Sequence, residues 1–270
     1  MTPQASDGYV AWNGPIEFSR KADQAALRFQ VAAHHANTVE RLHGGLSMAA
    51  MAWAMRHAAV TQGAPHAALC SMHVDFVDSA RPGETVEVHA ELTRSTRTLI
   101  FVRATLRASG RIAVTGSGIF RRAPARNPMH ARPASPEETG YSPSPVSAPF
   151  SRHAGPIQES SASGCRQWAL RIQPQHLERG SDAADVGAAL LLADVALGLC
   201  ALEASGGKPS ATLSLDVSVL GTAHTGDLLR AECRHLGTAG DVQVMSAQLC
   251  VGDAVAMSIL GNWKQVALSG

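Results

Sequence analysis

GLSMAAMAWA at residues 45–54 and GAALLLADVA at residues 187–196 are the two stretches on which the fold turns. Each opens on glycine and runs on in apolar residues, as a helix buried on all sides does. They lie 142 positions apart, and three further blocks recur at nearly that spacing. Gly14-Pro15-Ile16-Glu17 returns 141 residues on as Gly155-Pro156-Ile157-Gln158. Ala26-Leu27-Arg28-Phe29-Gln30 returns as Ala169-Leu170-Arg171-Ile172-Gln173, and Gly83-Glu84 as Gly226-Asp227, each 143 residues on. Such a constant offset marks one unit written twice. It is far longer than the ~20–50 residue period of a solenoid.

Each copy reads alike. A short strand comes first, at about 26–33 and about 167–173, then a loop and an apolar helix, at about 44–60 and about 186–204. Four strands follow, at about 68–78, 84–96, 98–108 and 111–121, and again at about 210–220, 227–236, 241–251 and 253–264. Val86, Val88 and Leu92 interleave with Thr85, Glu87, His89 and Glu91, the period-two pattern of a strand with one buried face. Ser109-Gly110 and Gly252-Asp253 supply tight hairpin turns. One helix followed by a strand meander predicts an α+β fold. The expected architecture is two antiparallel sheets, each wrapped around a long buried helix. Residues 123–150 are rich in Pro, Ser and Ala and read as a linker between a first domain, 1–122, and a second, 151–270.

Composition removes several function classes. The net charge of +1 lacks the basic surplus of a nucleic-acid binder, so no nucleic-acid partner is expected. The cysteines are single and odd in number, five in all, with no C-x-x-C, which argues against a disulfide framework or a zinc site. Reduced thiols and a polar N-terminus without a signal-peptide pattern predict a cytoplasmic protein. Residues 186–202 are apolar enough to suggest a membrane span, but Asp194 interrupts them and they fall short of ~20 residues. A buried core helix is the preferred reading, and no membrane partner is expected. No H-E-x-x-H, P-loop or G-x-S-x-G elbow occurs, so no metal and no cofactor are expected.

The chemistry-bearing residues are divided between the copies. The first helix is preceded by His43-Gly44-Gly45, and glycines at a helix start leave N–H groups open to a ligand that the helix dipole favours when negative. At the matching place the second copy has Asp185-Val186-Gly187. Nine residues past Asp185, inside an apolar helix, stands Asp194; nine past His43 is Ala52. A lone carboxylate is costly to bury unpaired, and a partly desolvated one suits a general base.

Overlaid, the copies give Asn-x5-His-Gly-Gly-x4-Leu-Ala-Asp, carried by Asn37, His43, Gly44 and Gly45 in one and Leu192-Ala193-Asp194 in the other. This composite resembles the hotdog-fold acyl-CoA thioesterases, of the phenylacetate-pathway type and of the fused medium-chain type, across nearly the whole chain. The resemblance implies a tandem double hotdog with one site between the units. It implies Asn37, His43, Gly44, Asp194 and Thr212 as catalytic residues, and acyl-CoA as substrate. Thr212 is carried over as the strand hydroxyl residue, with Leu69 at its place in the first copy. Gly45 and Met48 are the substrate-binding candidates. The fused type also uses a Gln on the last strand, where this chain has Leu260. Asp194 acts either as general base on water or as nucleophile; the residues leave both open. The second composite site would hold Asp185, Ala52 and Leu69, with Arg179 in place of Asn, and reads as inactive. The rival reading is a non-catalytic acyl-CoA or lipid-binding hotdog protein. Two chains pairing back to back, as a homodimer, would fit the resemblance.

Overall fold

The structure, a computed structural model, describes residues 8–21, 24–61, 64, 66–122, 140–145, 148–161 and 166–266. The first half runs α1 (Gly8–Trp12), β1 (Glu17–Lys21), β2 (Gln24–Gln30), α2 (Gly44–Val60), β3 (Ala68–Phe76), β4 (Thr85–Ser95), β5 (Leu99–Ala108) and β6 (Arg111–Arg121). After β7 (Ser142–Pro143) the order recurs: α3 (Pro149–Ala154), β8 (Ile157–Ser160), β9 (Gln167–Arg171), α4 (Val186–Ala204), β10 (Ser210–Val219), β11 (Leu228–Ala239), β12 (Val242–Val251) and β13 (Ala254–Gln265). Both long helices begin and end where the apolar runs do. The strand alternation also holds. Val86, Val88 and Ala90 of β4 and Ile100, Val102 and Leu106 of β5 face the core. Ser109 and Gly110 both take positive φ, as the two-residue hairpin between β5 and β6 demands.

The expected pair of separate sheets is not what forms. Among the described residues the strands make one continuous 13-stranded sheet, in the order β1-β2-β4-β5-β6-β3-β10-β13-β12-β11-β9-β8-β7. The seam is β3 against β10, antiparallel, with Met72 opposite Val217 and Val74 opposite Leu215. Each of these strands would otherwise end its own half with unpaired backbone groups, and pairing them removes two edges at once. The helices α2 and α4 pack on the same side and against each other. By length and composition α4 could cross a membrane, but half of that apolar window is buried inside the fold, beside α2 and the sheet.

Strand β7 and the start of α3 fall within the stretch read as a linker; residues 123–139 of that stretch lie outside the described residues. Pro143 is tolerated in β7 because β7 is the outermost strand and pairs only with β8. The elements α1, α3, β1 and β8 were not expected from sequence. They are four to six residues long, too short for a periodic pattern to emerge.

These short helices tie the halves together crosswise. Tyr9 of α1 donates its N–H to the Leu177 carbonyl in the second half, at 2.8 Å, and Phe150 of α3 donates to the Ala36 carbonyl in the first, at 3.0 Å. Between them the Trp12 and His153 rings stack at 5.7 Å. The Trp12 indole N–H donates to the His153 carbonyl, and His153 Nε2 pairs with the Trp12 carbonyl. Phe150 is fully buried and its ring lies 5.2 Å from that of His43. Phe150→Ala should therefore cost about 3–5 kcal/mol, the usual range for emptying a buried Phe site; urea unfolding measures it.

Candidate active site

The candidate site lies where α2 and α4 cross. The contacts run in opposite directions along the two helices. Gly44 meets Asp194, Gly45 meets Leu191, and Gly187 meets Ala49. A Cβ on Gly44 would stand 2.7 Å from both carboxylate oxygens of Asp194, and one on Gly45 would stand 2.8 Å from the Leu191 Cα. Both glycines are thus required by close approach. The first turn of α2 sits directly on the middle of α4.

This approach brings together residues 149 apart in sequence. Gly45 N–H lies 2.9 Å from Asp194 Oδ2 and 3.1 Å from His43 Nδ1, and that Nδ1 lies 3.1 Å from the same Oδ2. A ring nitrogen holds a proton or a lone pair, not both. A lone pair facing the carboxylate at this distance would be repelled, so the network assigns the proton to Nδ1, which donates to Asp194. Gly45 N–H donates to the same oxygen. The carboxylate also gains from the positive end of the α2 dipole. The side chains are only 7% and 10% exposed, so these contacts are made with little water between them. Among the described residues, Gly44 N–H has no hydrogen-bond acceptor.

Asn37, Thr212 and Met48 make no described side-chain hydrogen bond to Asp194 or His43. Asn37 spends its Oδ1 on the N–H groups of Val39 and Arg41, at 3.0 and 2.9 Å, holding the loop ahead of α2. Thr212 pairs with Trp263 across β10 and β13, and no described side-chain bond links it to Asp194. Met48 is fully buried core and Gly45 is engaged with Asp194. Leu260, at the expected Gln position, is 44% exposed on β13. The pair Ser214 and Asn262, bonded at 2.9 Å, was not anticipated, and neither residue belongs to any motif.

The equivalent crossing at the other helix start is built differently. Asp185 caps α4, accepting from Gly187 N–H at 2.7 Å. From the facing helix comes the Trp53 indole N–H, which donates to Asp185 Oδ1 at 2.9 Å. Burial pushes the Asp185 carboxyl up to about 6, against the pull of these two hydrogen bonds. A cavity of about 270 Å³ opens here, walled by Trp53, Leu69, Phe120, Asp185 and Met257. It lies roughly 13 Å along α4 from Asp194, at 1.5 Å per residue.

A long antiparallel sheet laid over central helices is the hotdog arrangement, and here a carboxylate meets a glycine-opened helix start where the halves touch. Residues 32–121 match the family model of the acyl-CoA thioesterase N-terminal domain. The family match thus rests on 90 residues of the first half, and the solved structures extend a likeness of fold to nearly the whole chain. Among solved structures it is similar to the acyl-CoA thioesterase II TesB2 of Mycobacterium marinum, at 12% identity and TM-score 0.68, covering 97% of this chain and 98% of that one. A hot dog fold protein of unknown function from Alicyclobacillus acidocaldarius superposes with TM-score 0.72 at 16% identity, covering 98% and 99%. The tesB protein of Mycobacterium avium subs paratuberculosis gives TM-score 0.67 at 16% identity, covering 93% and 96%. No curated protein matches.

The crossing makes two predictions. Gly45→Ala should cost more stability than Gly44→Ala, about 2–3 kcal/mol, because its Cβ meets backbone rather than a movable side chain; urea unfolding of the two variants decides it. The second concerns pH. Asp185 binds its proton more tightly folded than at its ordinary value of 3.8, so its contribution to stability grows as pH falls through about 6 and is lost as pH rises again. Asp185→Asn lacks this gain. The stability difference between parent and variant should shift toward the parent by about 2 kcal/mol between pH 7 and pH 4.

Proposed function

We propose that this protein is an acyl-CoA thioesterase with one working site, formed by His43, Gly44 and Gly45 of the first half and Asp194 of the second. The two halves, 1–122 and 151–270, act in this reading as two hotdog units joined by a linker. The observation that carries it is the placement of the Asp194 carboxylate against Gly45 N–H and His43 at the start of α2. Gly44 N–H beside it is free to receive a thioester carbonyl oxygen, whose developing negative charge the helix start would stabilise.

In the general-base route, Asp194 takes a proton from water as the water oxygen attacks the thioester carbon. The C–S bond then breaks, the thiolate leaves as coenzyme A after gaining a proton, and the carboxylic acid remains. In the nucleophilic route the carboxylate itself attacks the thioester carbon, the C–S bond breaks, and the thiolate leaves and takes up a proton. Water then opens the mixed anhydride to free acid and the Asp194 carboxylate. His43 Nδ1–H orients the carboxylate in either case. Asn37 and Thr212 are assigned to the water, and the support for them is the resemblance alone.

The cavity at the other crossing favours one second reading, a protein that binds an acyl compound without cleaving it. Thiol release from a panel of acyl-CoA substrates separates the two. We expect turnover in the parent and a loss of at least about 100-fold in Asp194→Asn, the span of a lost general base, with the circular dichroism spectrum unchanged. Near-parent turnover in that variant would sink the assignment.

A further inference from the structure

The cavity beside Asp185 does not belong to the site just described. It is the counterpart of that site at the opposite helix start, and it keeps two unused polar groups. Asp185 is 94% buried, and its Oδ1 takes both the Trp53 and the Gly187 hydrogen bonds. No described bond engages its Oδ2. Val186, which also lines the cavity, begins α4, and its N–H has no acceptor among the described residues. An empty acceptor and an empty donor therefore stand side by side at the inner end of an apolar chamber.

We propose that this chamber is a second ligand site, which binds a small carboxylic acid in its neutral form, the acid O–H donating to Asp185 and the acid carbonyl accepting from Val186 N–H. A carboxylic acid is complementary because it carries one donor and one acceptor on adjacent atoms. A lone carboxylate ligand is excluded by the buried Asp185 charge, unless one proton is shared between the two groups. Asp185 titrates near 6 and is suited to sharing it. The tail would lie along Leu69, Phe120 and Met257. At about 30 Å³ for each water-sized group, a volume of about 270 Å³ holds roughly nine non-hydrogen atoms, an acid of six to eight carbons. At the outer end, Arg56 and Glu178 stand 3.5 Å apart, each partly exposed, a pair that water reaches. His66 is the other ionisable side chain on the wall, and the Tyr9 phenol of α1 lies beside Asp185.

Such an acid is the product class of a thioesterase. The identification as a product rests on the proposed function; the binding itself does not. In that reading the second crossing has become a sensor of the acid released at the first.

Hexanoic acid is the probe, titrated into the full chain by calorimetry at pH 5.5 and pH 8. The Asp194→Asn variant serves as the host, so that the composite site turns nothing over. We expect saturable binding with one acid per chain, at least tenfold weaker at pH 8. Asp185→Asn, which keeps an Asn cap on α4, should lose at least tenfold in affinity at pH 5.5. Ala189→Phe, which fills the chamber from α4, should abolish binding. Both should fold and, made in the parent, keep its thioester turnover. Absence of saturable binding at pH 5.5 would overturn the proposal, as would binding that neither variant changes. Binding by a chain that hydrolyses no acyl-CoA would refute the thioesterase reading and leave this site standing.

Discussion

The structure depends on the close antiparallel contact of α2 with α4. Three glycines set it: Gly44 and Gly45 at one helix start, Gly187 at the other, where a Cβ would stand 2.9 Å from Ala49 Cβ. Helix axes ordinarily pack 8–10 Å apart, the separation depending on the side chains between them. Removing three Cβ atoms lets each helix start press on the middle of its partner. The exposed N–H groups of each first turn are thereby aimed at a chosen residue of the opposite helix. All that surrounds the contact supports it. The seam between β3 and β10 joins the halves below, and α1 and α3 clasp the opposite halves through Tyr9 and Phe150.

The repeat, both long helices and the meander were legible because they rest on strong local signals. Apolar residues dominate four or five turns, glycines mark the starts, and strands alternate with period two. The residues that meet at the first crossing also stood out, since His43-Gly44-Gly45 and Asp194 each break the local pattern of an otherwise apolar stretch. The seam was not. Nothing in β3 or β10 distinguishes an edge strand covered by solvent from one covered by another strand. The clasp was equally hidden, because α1 and α3 owe their form to partners in the opposite half rather than to their own few residues.

Asn37 shows a different limit. A motif places a residue type in a loop but does not say which way its side chain turns. Here the Oδ1 bonds backbone N–H groups two and four residues on, the ordinary behaviour of Asn in a turn. The cavity shows another. The sequence marks the second crossing as having lost its chemistry, since Ala52 and Leu69 are inert. It does not show that a cavity opens there, nor that Trp53, one residue past Ala52, reaches Asp185 instead.

The choice of capping residue explains why the two crossings cannot be alike. An Asp cap at a helix start satisfies the N–H groups well, and Asp185 does so for α4. Had the first copy kept such a cap in place of His43, its carboxylate would face that of Asp194 in a nearly dry contact, where like charges cannot both remain ionised at low cost. A His cap avoids this, because its ring N–H donates to the carboxylate. Conversely, an Asp cap is tolerated at the second start because the facing helix presents an indole N–H and no acid. Asp185 and Asp194 lie on the same helix, and each is stable only because the first copy supplies a donor at its own crossing, His43 to one and Trp53 to the other. A symmetric pair of identical units would have to use one cap and one facing residue at both ends. Halves of unlike sequence are free of that restriction, and this chain holds a carboxylate on a helix middle at one crossing and on a helix cap at the other.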